Sequence, residues 1–154
     1  MADDVTTRRV ENSGSFLLSI AAKDAVFLFT AEGERQWVPG WAPHVLGSGD
    51  QRKGLVFLTG QGSDLTIWTV IDSDFEGGRH LYSRVTPGVR AGLVEVRVSQ
   101  EGSGSRVDVS YDMTALPGAA EDALAPYEGE RFDAMLDEWQ SLIEQALSSP
   151  ESRG

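Results

Sequence analysis

Between Gly129 and Leu147 the apolar residues fall at Phe132, Met135, Leu136, Trp139, Leu142, Ile143, Ala146 and Leu147. That is the i, i+3, i+4, i+7 recurrence of one helix face, and it predicts an α-helix of about five turns, roughly 28 Å long. The opposite face carries Glu130, Asp133, Asp137, Gln140, Ser141, Glu144 and Gln145. No lysine or arginine follows any of these acids by four residues, and Asp133 stands one turn from Asp137 with like charge. Such a helix gains little from its own surface. It must dock its apolar face on something large and concave, and that need constrains the rest of the chain.

The preceding residues supply a sheet. Residues 1–12 are polar and expected to be loose at their start. Ser15 to Ile20 alternates Phe16, Leu18 and Ile20 with Ser15, Leu17 and Ser19, the period of a first strand. Two short helical pieces follow, Lys23 to Phe29 and then Glu34 to Trp37, the second capped by Thr30 and ended by Pro39 and Gly40. From His44 to Thr114 the pattern is strands at 45–47, 54–59, 65–71, 79–86, 92–99 and 106–114, divided by glycine-rich turns into an antiparallel meander. Val94, Val96 and Val98 oppose Glu95, Arg97 and Ser99, while Val107, Val109, Tyr111 and Met113 oppose Asp108, Ser110 and Asp112. Strands of this kind have one buried and one wet face, so the sheet needs a cover on one side only. Leu116, Pro117 and Gly118 break the last strand, and Pro126 pushes Ala125 out of the helical region ahead of the long helix. The fold class is α+β: a curved antiparallel sheet wrapped around one long C-terminal helix, with two short helices after the first strand. It is read as a single domain over 1–154, its core at about 13–147 and its ends loose.

Composition excludes some functions. With 13 Lys and Arg against 24 Asp and Glu the net charge is −11, so neither nucleic acid nor an anionic membrane is an expected partner. Residues 101–154 hold 12 acids and 3 basic residues, which places most of the imbalance downstream. There is no cysteine, hence no disulfide, thiolate metal site or cysteine nucleophile. No secretory signal and no membrane-length apolar run is visible, and a cytoplasmic protein is the expectation. The two histidines, His44 and His80, lie on separate segments with no partner at ligand spacing, so no metal or other cofactor is expected. No Gly-x-Ser-x-Gly elbow occurs, and the glycines around Gln61 and Ser103 read as hairpin turns rather than phosphate loops.

Several stretches together resemble a known superfamily. They are Glu32 to Trp41, with its Trp37-Val38-Pro39-Gly40-Trp41 run, Gly54 to Phe57, Thr66 to Val70 around Trp68, Tyr82 to Gly88, Val109 to Leu116, and Met135 to Ile143. Over roughly residues 13–147 the chain resembles the START/Bet v 1-like helix-grip superfamily (SRPBCC), most of all its polyketide cyclase/dehydrase and lipid transport branch. The resemblance implies a cavity between sheet and helix, often holding an apolar or amphipathic small molecule. It does not imply a reaction, because that superfamily includes carriers, cyclases, hydrolases and protein-binding modules.

Candidate cavity residues follow from both lines of reading. Trp37 and Trp41 cannot share a helix face, since Pro39 and Gly40 separate them; either both fix the exit from the short helices or one lines a cavity mouth. Trp68 shares a strand face with Val70 and opposes Ile67 and Ile71. His80, Tyr82 and Arg84 share one face of their strand. Ordinary patterning turns that triplet to water, whereas a polar face turned into the grip would place an arginine and a phenol where they hold a carboxylate or enolate. On the long helix Phe132, Met135, Leu136, Trp139 and Ile143 divide between core and cavity, and the flexible Met135 suits a variable ligand. The leading expectation is a hydrophobic or amphipathic ligand, lipid or polyketide-like, with no catalytic residue assigned. A cyclase or hydrolase using Tyr82, Arg84 and His80 or Glu95 is the alternative, and a chaperone-activator-like interaction module using the acidic downstream half is a third. Dimerisation is not readable from the residues.

Overall fold

The computed structural model describes residues 7–47 and 51–148. Strand β1 (Arg9–Leu18) leads into α1 (Ala22–Ala25), a 3₁₀ turn at Val26–Phe29 and a second at Gly33–Gln36. Six strands follow: β2 (His44–Leu46), β3 (Val56–Thr59), β4 (Thr66–Asp74), β5 (Arg79–Thr86), β6 (Arg90–Glu101) and β7 (Gly104–Ala115). A 3₁₀ turn at Ala125–Tyr127 then delivers the chain to α2 (Gly129–Ser148). The strands form one antiparallel sheet in the order β1-β7-β6-β5-β4-β3-β2, the meander closed on its far side by β1. This is the layout the periodicities predict.

The boundaries differ where tertiary partners override local pattern. β1 starts at Arg9 rather than Ser15, because β7 offers a ladder reaching Thr114. There the Arg9 guanidinium donates to both carboxylate oxygens of Asp112 at 2.8 Å, a fork that the mostly polar residues 9–14 cannot announce by alternation. The expected helical pieces are one α-turn and two 3₁₀ turns. Ala125, expected to leave the helical region, instead opens a 3₁₀ turn, where Pro126 lies among donors with no partner inside the turn.

Helix α2 buries Phe132, Leu136 and Ile143 fully, and Met135, Trp139, Leu142, Ala146 and Leu147 in part. The first line docks along β1. Leu136 approaches so closely that a Cβ on Gly14 would stand 2.7 Å from its Cδ1. Polar pins fix the same edge: Ser19 donates from its backbone N–H and its hydroxyl to Glu144 at 2.9 and 2.7 Å, and Gln140 donates to the Leu17 carbonyl at 2.8 Å. Residues 135, 139 and 142 fall on the neighbouring line of the helix, which the docking leaves turned toward the hollow of the sheet.

A bulge in β4 sets the phase of the interior. Pairing with β5 shifts between Val70 and Asp72, leaving Ile71 exposed. Trp68 and Val70 point inward before the shift, and Ser73 points inward after it, opposite His80. Without the extra residue Asp72 would enter the core; with it, Asp72 pairs with Arg79 at 2.8 Å on the outer face.

Candidate functional site

The polar face of β5 is turned into the grip, contrary to the ordinary patterning expectation. His80, Tyr82 and Thr86 are buried and Arg84 is half-buried, while Leu81 and Val85 belong to the outer face. Interior partners offset the lost water. The His80 Nε2–H donates to the Val26 carbonyl at 2.8 Å, which leaves Nδ1 to accept the Ser73 hydroxyl at 2.7 Å. The ring is thus a neutral, single tautomer, and burial lowers its pKa below the ordinary histidine value. The Tyr82 hydroxyl donates to the Phe29 carbonyl at 2.6 Å, and the Gln51 amide donates to Tyr82 and Ser73 at 3.1 and 3.2 Å. These bonds tie the 3₁₀ turn at Val26–Phe29 to the sheet. His80 and Tyr82 are therefore structural anchors, and burial pushes the Tyr82 phenol well above its usual range.

That anchored turn carries the wall of a cavity. Thr30 donates its hydroxyl to the Phe27 carbonyl at 2.8 Å and accepts the Gly33 N–H at 2.9 Å. Gly33 must be glycine here, since a Cβ would lie 1.9 Å from the Phe27 carbonyl oxygen. The next residue, Glu34, lies one 3₁₀ turn before Trp37, so the two share a face. Between this segment, the sheet and α2 is a cavity of about 220 Å³ lined by Glu34, Trp37, Trp41, Trp68, Arg84, Tyr111, Met135, Trp139 and Leu142, with Val38, Pro39, Thr59 and Glu138 completing it. All four tryptophans of the chain meet there. Three have their indole N–H satisfied: Trp37 by the Leu28 carbonyl at 2.8 Å, Trp41 by the Ala31 carbonyl at 2.7 Å, and Trp68 by the Thr59 hydroxyl at 2.9 Å. Their ring surfaces are left for packing, Trp37 against Trp139 at 5.5 Å and Trp41 against Trp68 at 5.9 Å between centroids.

Besides the exposed Glu138, two ionisable side chains face this aromatic box. The Arg84 guanidinium sits over the Trp68 ring at 4.9 Å and the Tyr127 ring at 5.7 Å. It makes no ion pair among the described residues, and its buried Nε has no acceptor. Burial pushes the half-buried Glu34 carboxyl up to about 8, and the positive charge of Arg84 opposes that rise. Burial also raises the Tyr111 phenol, with Arg84 opposing. Around neutral pH the interior of the cavity therefore holds the Arg84 cation hydrogen-bonded to the Tyr111 phenol, and a protonated carboxyl at Glu34, with Glu138 exposed at the edge. Among the described residues no group of His, Asp and Glu is gathered as metal ligands.

No protein-family model matches this chain, and no curated protein matches it by sequence. Solved structures do match. A protein from Rhizobium leguminosarum is similar with TM-score 0.68 and 16% identity over 91% of this chain and 97% of that one. Norcoclaurine synthase from Thalictrum flavum is similar with TM-score 0.66 and 15% identity over 96% and 99%. Ara h 8.0201 is similar with TM-score 0.65 and 11% identity over 92% and 100%. The chain has the Bet v 1-like helix-grip fold. At these identities the likeness fixes architecture alone.

Within the helix-grip frame, the structure brings Trp37, Trp41, Trp68, Arg84, Met135 and Trp139 together on one cavity. Tyr82, Phe132, Leu136 and Ile143 do not line it; they are buried in the core, Tyr82 because its hydroxyl is spent on Phe29 and the helix residues because their line faces β1. Glu95 lies on the outer face, where Arg79 and Arg97 hold its carboxylate at 2.6 and 3.1 Å. Glu34, Tyr111, Thr59 and Leu142 were not among the predicted cavity residues. The one local signal for Glu34 is its i, i+3 relation to Trp37. Tyr111 reads from sequence as a core member of β7, and nothing local distinguishes it from Val109 or Met113.

Glu34→Gln checks the electrostatics. The folded pKa lies above the unfolded one, so the carboxyl's stabilising protonation is fully present below about pH 4.5 and lost as pH rises through about 8. Each unit corresponds to about 1.4 kcal/mol, discounted because the side chain keeps some contact with water. The variant is expected to gain about 2 kcal/mol at pH 9 and little at pH 5, read by urea unfolding at both values. Equal stability at pH 9 would show that the carboxyl ionises freely.

Proposed function

We propose that this protein binds an apolar or amphipathic small molecule in the cavity between the sheet and α2. The observation that carries the reading is the convergence of all four tryptophans, with Arg84 and Glu34 among them, on a single hollow. Aromatic walls with a few directed polar groups are the composition of small-molecule pockets. At about 220 Å³ the cavity is smaller than the roughly 300–1,000 Å³ of drug-sized sites, which favours a compact one- or two-ring compound over a long-chain lipid. Norcoclaurine synthase, of the same fold, has been captured with dopamine and hydroxybenzaldehyde, molecules of that compact aromatic kind.

Native mass spectrometry of gently purified protein, followed by titration of tryptophan emission with candidate aromatics, tests the reading. Half-buried Leu142 lines the cavity, so Leu142→Trp should fill it and weaken binding by at least about tenfold while the protein stays folded. Undiminished binding by that variant would place the ligand elsewhere and sink the proposal.

A second reading is an enzyme that moves a proton in this cavity. It is favoured by Glu34 alone, whose carboxyl at about 8 is matched to acid–base work near neutrality. His80 does not serve it, since both ring nitrogens are engaged in the core.

A further inference from the structure

We propose that Arg84 is an anion receptor, and that the cavity takes a small aromatic carboxylate whose ring lies among Trp37, Trp41 and Trp139. This rests on the ligand-binding reading above and narrows it by charge. A half-buried guanidinium with no ion pair among the described residues, and a sealed Nε lacking an acceptor among them, is a costly arrangement unless a partner arrives. Its position over Trp68 and Tyr127, with a hydrogen bond to the Tyr111 phenol, holds the fork in place and leaves Nε among the donors that a carboxylate accepts in pairs.

The surroundings choose the sign of the ligand. Among the described residues no second lysine or arginine lines the cavity. The groups around Arg84 and Glu34 are the Tyr111 and Tyr82 phenols from the sheet, both neutral, the Tyr127 ring 5.7 Å from the guanidinium, and Glu138 of α2, which is exposed at the rim. Glu34 remains protonated through neutrality and offers an O–H to a ligand oxygen rather than a competing charge. The interior is therefore cationic within a chain of net charge −11, so it admits an anion and disfavours an amine. When Glu34 ionises above about pH 8 it becomes a counter-ion to Arg84 and repels the ligand.

Isothermal titration with 2-naphthoate, 2-naphthamide and 2-naphthylmethylamine tests this. At pH 6.5 the acid is expected to bind at least about tenfold tighter than the amide, and the amine most weakly. Arg84→Met should cost the acid at least about tenfold and leave the amide within about threefold, with Arg84→Lys intermediate and circular dichroism confirming the fold. On moving to pH 9 the wild type should lose about fivefold in affinity for the acid, and Glu34→Gln should lose less. An amide equal to the acid, an amine tightest of the three, or an Arg84→Met variant that keeps the preference would overturn the anion receptor and leave cavity binding standing. Binding of none of the three also overturns it, and the broader reading is then decided separately by the species retained in native mass spectrometry.

Discussion

Truncating His80 to alanine is expected to destabilise the protein by about 4 kcal/mol, in the range of deleting a large core side chain. The ring is fully buried, edge-on to Phe75 at 5.3 Å between centroids. Its removal leaves a void, strips the Val26 carbonyl of its donor and leaves the Ser73 hydroxyl without its acceptor. Because Val26 begins the turn that leads to the cavity wall, the damage should extend to the tryptophan box. Urea unfolding at pH 7.5 and tryptophan emission of the folded state measure the two effects. The pH dependence carries a second signature. The folded pKa of His80 lies below the unfolded value, so its contribution is present above about pH 6.5 and is lost as pH falls toward the lower folded pKa. His80→Gln, which keeps a donor for Val26, should restore part of the stability and flatten that acid-side loss. A variant with an unchanged acid limb would mean that the ring is not held neutral. Glu34 acts in the opposite sense at higher pH, so the two variants should flatten opposite sides of the stability profile.

Gly33→Ala is the second large effect expected, on the order of 3 kcal/mol from overpacking. The added methyl would meet backbone, with the Phe27 carbonyl carbon at 2.7 Å and the Leu28 Cα at 2.9 Å as well as the carbonyl oxygen. Backbone cannot rotate aside as a side chain can. The Thr30 bonds that shape the turn would have to open, and Glu34 and Trp37 would move with it. The expected result is a lower denaturation midpoint together with a shifted Trp37 environment, seen as altered emission. Retention of both would show that the turn accommodates a methyl and does not position the wall.

How much of this was legible in the chain depends on the range of the interactions involved. The 3.6-residue recurrence of 129–147 and the period-two alternation of β6 and β7 are local consequences of burial on one face, so the long helix and the meander could be read directly. The start of β1 could not, because its residues are ordered by a partner about a hundred positions away. The face presented by β5 was the harder case. Its pattern favours a wet polar face, and the polar interior was decided by acceptors at Val26 and Phe29 and a donor at Ser73 that lie on other elements. Glu34 is illegible for the same reason, since an acid on a short polar turn looks solvated until Trp68 and Trp139, from distant segments, close the hollow around it.

The sequence by itself determined the architecture, an α2-like helix in need of a concave apolar partner and a one-sided antiparallel sheet to provide it, because hydrophobic periodicity is written residue by residue. Only the tertiary structure decided what the hollow contains. The bulge at Ile71 set which side of β4 faces inward, the docking of Phe132, Leu136 and Ile143 on β1 left Met135, Trp139 and Leu142 facing the hollow, and the burial of Arg84 and Glu34 among aromatic rings gave the cavity its charge. Desolvation and unpaired charge are properties of an environment, and that environment exists only once the chain has closed around it.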